Sequence, residues 1–100
     1  MVQQIFPENV MEFISSRPCF VIDIREQEEF RKGHLPKAVQ VEEDEIMAGE
    51  ISFPKQMPLV VYCSEGSSSL KVARLLSMKG YYVFNLVGGY NAVMRARKKS

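Results

Sequence analysis

One hundred residues, 46% apolar and 25% charged, have the length and composition of one globular domain and exclude a disordered chain. A net charge of +1 gives no reason to expect a nucleic-acid partner. The longest apolar run, Leu59-Val60-Val61-Tyr62-Cys63, is far shorter than the ~18 residues of a membrane span. Residues 1–7 carry no Lys or Arg and lead into no apolar segment, so no signal peptide and no membrane partner are expected, and the location expected is cytoplasmic.

In chain order, Gln3-Gln4-Ile5 reads as a strand, and Pro7 opens a helix whose apolar face is Val10, Phe13 and Ile14. Phe20-Val21-Ile22-Asp23 is a second strand, Gln27 to Lys32 a short charged helix, and Ala38-Val39-Gln40-Val41 a third strand. Residues 42–58 contain five acids followed by Ser52-Phe53-Pro54 and Met57-Pro58, which suits a short helix and a surface loop. Leu59 to Tyr62 is a continuous apolar strand, and Val72, Ala73 and Leu76 mark the inner face of a helix from about Ser67 to Lys79, ended by Gly80. Tyr82-Val83-Phe84 is the fifth strand, and a last helix starts near Tyr90. Alternating strands and helices imply an α/β domain with a mostly parallel sheet.

Charge divides unevenly along this order. Through Glu65 the chain has 12 acidic and 6 basic residues, whereas from Gly66 onward it has 7 basic and none acidic. Arg95, Arg97, Lys98 and Lys99 close the chain, where cations suit a helix C-terminus. Cys19 and Cys63 are the two cysteines, and His34 is the single histidine. No Cys/His spacing fits zinc, so no metal or other cofactor is expected. His34, in Gly33-His34-Leu35-Pro36, reads as a turn residue with a satisfied hydrogen bond. Cys19 opens its strand whereas Cys63 closes one, so in parallel strands the two thiols lie ~13 Å apart, beyond disulfide reach, and Cys19 is expected in the core or at an edge.

In an open parallel sheet, ligands bind at the carboxyl ends of strands. Asp23-Ile24-Arg25 and Tyr62-Cys63-Ser64-Glu65-Gly66-Ser67-Ser68-Ser69 both fall there. A Gly- and Ser-rich loop between a strand end and a helix start can turn successive amides inward as an anion nest. A cysteine at its first position would have its thiolate stabilised and its sulfur exposed. Glu65 opposes this: at about 7 Å a full negative charge costs about 2.4 kcal/mol at an effective dielectric of 20. A helix terminus returns about 0.3–1 kcal/mol, or up to ~2 when partly buried. The balance therefore depends on where Glu65 points.

These residues resemble a known family. Asp23-Ile24-Arg25-Glu26-Gln27-Glu28-Glu29-Phe30 followed by Gly33-His34-Leu35-Pro36-Lys37-Ala38 is similar to the D-[VI]-R-x-x-x-E-[FY]-x-x-G-H-[IL]-P-x-A signature of rhodanese domains. Val61 to Ser69 with Ala73 and Leu76 resembles the family's active-site loop and helix, and Gly80-Tyr81-Tyr82-Val83 and Leu86-Val87-Gly88-Gly89 its later landmarks. The resemblance implies that residues 1–100 form one rhodanese-like domain, with a five-stranded sheet flanked by helices on both faces. It further implies a sulfurtransferase in which Cys63 cycles between thiolate and persulfide. The donor would be thiosulfate, a small persulfide or a persulfidated protein, and the acceptor a small thiol, cyanide or a protein. Ser64, Glu65, Gly66, Ser67 and Ser68 match the substrate-cradling loop, Arg25 is a further substrate-binding candidate, and Asp23 and Glu29 match bracing residues. Many family loops carry Arg or Lys beside the cysteine, and this one does not, which weakens thiosulfate as donor. Lys71 and Arg74 are candidates to compensate. The alternative is a non-catalytic rhodanese-like module for partner binding or sulfur carriage. A cysteine phosphatase or arsenate reductase of the same fold requires Arg six positions after Cys63, where Ser69 stands. The family's common Trp four residues after the Gly-Gly pair is Val93.

Overall fold

The computed structural model describes residues 1–98; Lys99 of the expected basic tail lies outside the described residues. Ten elements alternate: β1 (Gln3–Ile5), α1 (Pro7–Ser16), β2 (Phe20–Asp23), α2 (Gln27–Lys32), β3 (Ala38–Gln40), α3 (Glu43–Met47), β4 (Leu59–Tyr62), α4 (Ser67–Met78), β5 (Val83–Leu86) and α5 (Gly89–Lys98). All strands are parallel, in the order β1-β5-β4-β2-β3.

The most apolar strand takes the centre. Every residue of β4 is fully buried, and each such large side chain contributes about 1.5–3 kcal/mol by leaving water. Side chains alternate between two cores. Ile22, Val61 and Cys63 pack under Val72, Ala73 and Leu76 of α4 and Ile46 of α3. Val21, Val60, Tyr62 and Cys19 pack against Val10 and Ile14 of α1 and Val93 of α5. Val93, at the position of the missing Trp, is 1% exposed and holds α5 in that second core.

Element limits differ from expectation in instructive places. The fifth strand runs Val83–Leu86 rather than 82–84, which brings Asn85 into the sheet and leaves Tyr82 exposed. The third strand stops at Gln40, although the Val41 amide continues the ladder by donating to the Asp23 carbonyl. The loop after α3 is pinned rather than free, because the Tyr81 hydroxyl accepts from the Phe53 amide and Phe53 packs on the first core.

From β2 the chain moves outward to β3, and from β4 it moves the opposite way to β5. Right-handed crossovers in opposite directions carry their helices to opposite faces, so a crevice opens where the carboxyl ends of β2 and β4 adjoin. Arg25 and Cys63 follow those two strand ends.

Candidate functional site

Cys63 leaves β4 and enters a tight loop that Gly66 turns with φ +100°, a left-handed conformation; a Cβ there would also meet the Gly88 amide nitrogen at 3.0 Å. The loop curls so that the Gly66 and Ser69 amides donate to Cys63 Sγ at 3.0 and 3.3 Å. Ser69 is already in the first turn of α4, so helix terminus and loop both present N–H groups to the sulfur. Two backbone amides thus converge on the sulfur. The sulfur is less open than expected: Cys63 is 7% exposed and lies in the floor of a cavity of about 290 Å³. Ser64, Glu65, Ser67 and Ser68 line the same cavity, with Ile24, Arg25, Glu26, Glu29 and Glu43 opposite.

The first turn of α5 fixes the loop from behind. The Tyr90 and Asn91 amides donate to the carbonyls of Cys63 and Ser64 at 2.8 and 3.1 Å. This approach requires Gly89, whose φ is +69° and whose Cβ, if present, would lie 2.6 Å from the Cys63 carbonyl oxygen. Asn91 also donates through Nδ2 to Glu65 at 2.6 Å, so the Glu65 carboxylate is tethered at the cavity wall and exposed.

Arg25 and Asp23 form the second half of the site. Asp23 is fully buried; its carboxylate accepts from the Arg25 amide at 2.8 Å, from Nη2 at 2.8 Å and from Nε at 3.1 and 3.2 Å. Arg25 Nη2 also donates to the Gly33 carbonyl at 2.7 Å, and the guanidinium lies 4.1 Å from the Tyr90 ring centroid. Burial acts to lower the Arg25 pKa, but the bonds and charge of Asp23 outweigh it and leave the guanidinium above its ordinary value. Arg25 therefore lines the cavity while its charge is directed inward, to Asp23 and Gly33. The Tyr62 hydroxyl accepts from the Leu35 amide at 3.0 Å. Burial, reinforced by Asp23, holds this phenol well above the usual tyrosine range. Together these bonds tie the ends of β2 and β4 to the 33–35 turn and to α5.

The remaining candidates fall where their chemistry matters less. Glu29 sits on the cavity rim, half-exposed, 3.8 Å from Lys32. His34 stacks on Phe30 and donates from Nδ1 to the Phe30 carbonyl, as a turn residue does. Lys71 pairs with Glu43 at 3.3 Å, and Arg74 lies beside Met1, Val2, Ser77 and Met78, so neither brings a free cation to the cavity. Cys19 is buried in the core opposite that of Cys63, and the strand register sets the two about five residues, or ~16 Å, apart along the sheet. The sequence places Ser69 in the loop without a role and gives Asn85 no place at the site. The Ser69 hydroxyl lies 3.3 Å from Cys63 Sγ and donates to Asn85 Oδ1 at 2.6 Å. An asparagine inside an apolar strand was the available signal, since a buried amide needs a partner.

A parallel α/β domain with a thiol held in a backbone-amide nest at the sheet's carboxyl edge defines the class. The chain belongs to the rhodanese-like domain family, whose model matches residues 6–96. It is 29% identical to thiosulfate sulfurtransferase GlpE of Coxiella burnetii over 91 residues, 90% of this chain and 85% of that protein. It is 31% identical to a sulfurtransferase of Allochromatium vinosum over 97 residues, 95% and 91% of the two chains. The crystal structure of a rhodanese-like domain protein from Staphylococcus aureus matches it with a TM-score of 0.80 and 28% identity, covering 91% of this chain and 90% of that one.

Proposed function

We propose that this protein transfers sulfane sulfur from a donor to a thiophilic acceptor through a persulfide on Cys63. The observation that carries the reading is the Cys63 sulfur in the cavity floor with the Gly66 and Ser69 amides directed at it. The Cys63 thiolate attacks the donor's sulfane sulfur. A new S–S bond forms on Cys63, the old bond to that sulfur breaks, and its electron pair leaves with sulfite or with the donor thiolate. The acceptor then attacks the outer sulfur and Cys63 departs as thiolate, so no external oxidant or reductant is needed. The loop from Ser64 to Ser68 cradles the outer sulfur, and Asp23 and Arg25 hold the facing wall. Covalent division of the transfer into two halves requires ping-pong kinetics.

The cavity wall carries Glu26, Glu29, Glu43 and Glu65, while Arg25, its one lining cation among the described residues, is committed to Asp23. Coulomb repulsion scales with ligand charge, so a thiosulfate dianion is disfavoured about twice as strongly as a persulfide monoanion. A small or protein-borne persulfide is accordingly the better donor. Initial rates over a matrix of donor and cyanide concentrations test the reading. Parallel double-reciprocal lines, with turnover abolished in Cys63→Ser, are expected. Intersecting lines, or turnover that survives Cys63→Ser, would contradict it. A folded wild type that never turns over with any donor would favour the non-catalytic module.

A further inference from the structure

Ser69 and Asn85 form a buried chain behind the sulfur. Ser69 is fully buried and Asn85 is 3% exposed. The Ser69 hydroxyl has three neighbours: Asn85 Oδ1 at 2.6 Å, the Gly66 carbonyl at 3.3 Å and Cys63 Sγ at 3.3 Å. A hydroxyl has one proton to donate and two lone pairs. The short contact takes that proton, because about 2.6 Å is the range of O–H···O bonds and is shorter than ordinary N–H···O bonds, which also fixes Asn85 with its oxygen toward Ser69. Oγ therefore turns a lone pair to the sulfur. It can accept from a Cys63 S–H but offers nothing to a thiolate.

We propose that Asn85 is a positioning residue that, by holding the Ser69 hydroxyl proton, denies the Cys63 sulfur a hydroxyl donor. The inference rests on Cys63 being the working thiol, and it adds a second control to that site. The Gly66 and Ser69 amides donate to the sulfur, and the Asn85–Ser69 pair withholds a hydroxyl that could join them. Among the described residues, the charged and titratable groups around the cavity are Arg25 with Asp23 and Tyr62 behind it, Glu26 and Glu29 from the β2–α2 segment, Glu43 from α3 with its partner Lys71 from α4, Glu65 from the loop, and Tyr90 of α5 over Arg25. None changes in the variants below, so differences between variants isolate the pair.

The test is the pH profile of Cys63 alkylation by iodoacetamide, followed by mass spectrometry on the full chain. Asn85→Leu conserves volume and removes the acceptor, which frees the hydroxyl to donate to sulfur. Its profile should move to lower pH, with alkylation below the midpoint faster on the order of tenfold, the gain of a hydrogen bond to a charged group. Ser69→Ala removes the oxygen that accepts from the thiol, so it should also accelerate, by less. In the Ser69→Ala background, Asn85→Leu should add nothing. A slower Ser69→Ala would show that the hydroxyl donates to sulfur in the wild type and would overturn the proposal. So would an Asn85→Leu shift that persists without Ser69. Should Asn85→Leu fail to fold, the sign of the Ser69→Ala effect still decides. Alkylation reads the thiol alone, so absence of sulfur transfer in the wild type would count against the proposed function and leave this result standing.

Discussion

Asp23 and Arg25 are a buried ion pair, and such pairs reveal their importance when one member is removed. Arg25→Met leaves Asp23 charged in the interior and should lower stability by about 3–5 kcal/mol, whereas Asp23→Leu/Arg25→Met should recover most of it. Urea unfolding of the three proteins checks this; equal stability of wild type and Arg25→Met would contradict it. Tyr62 makes a pH-dependent contribution whose sign follows from its raised pKa. Above about pH 10 an unfolded tyrosine loses its proton while the buried one keeps it, so the native state binds more protons and stability falls as pH rises. Below that pH the contribution is fully present. Tyr62→Phe should therefore lose less stability than wild type between pH 9 and 11, within the same urea series. At this scale the sequence was informative where a residue type has one use. Cys63 before a Gly/Ser loop was legible for that reason, whereas Asp23 and Arg25 were placed at the site by following a strand and their pairing was not legible. Asn85 was not, because a polar amide directly after Tyr82-Val83-Phe84 reads as the end of the apolar run rather than as part of the strand.

Among the elements, the start of α5 anchors the loop that carries the sulfur. Its first amides hold the carbonyls of Cys63 and Ser64, and only glycine at 89 permits that contact. Gly89→Ala should cost the ~1–2 kcal/mol of a left-handed residue and also displace the loop, so that sulfur transfer falls sharply. Gly80→Ala is the control: φ there is +96°, but the added Cβ meets only the flexible Lys55 amine at 3.4 Å. It should lose only the left-handed cost and keep activity. Activity retained in a folded Gly89→Ala protein would mean the loop does not depend on α5. The strands and the longer helices were legible because continuous apolar runs and 3.6-residue periodicity are local signals. The anchoring of the loop by α5 was not, since it joins residues 63–64 to 90–91, and the Gly-Gly pair alone does not say what it lets approach.

Across the whole molecule, charge follows the chain in a way composition alone does not convey. The second half of the chain is basic, yet the cavity wall is carboxylate-rich because the β2–α2 segment, α3 and Glu65 supply it. Glu65→Lys should raise kcat/KM for thiosulfate about tenfold at low ionic strength, with the gain shrinking as salt is added. An unchanged rate at low salt would show that this wall does not govern donor choice. The most direct test of sulfur carriage is intact mass with peptide mapping after exposure to a persulfide donor and removal of excess reagent. Wild type and Cys19→Ser should each gain about 32 Da, one sulfur, on Cys63, and Cys63→Ser should gain none. Sulfur found on Cys19, or a folded wild-type protein left unmodified at Cys63, would contradict the persulfide route.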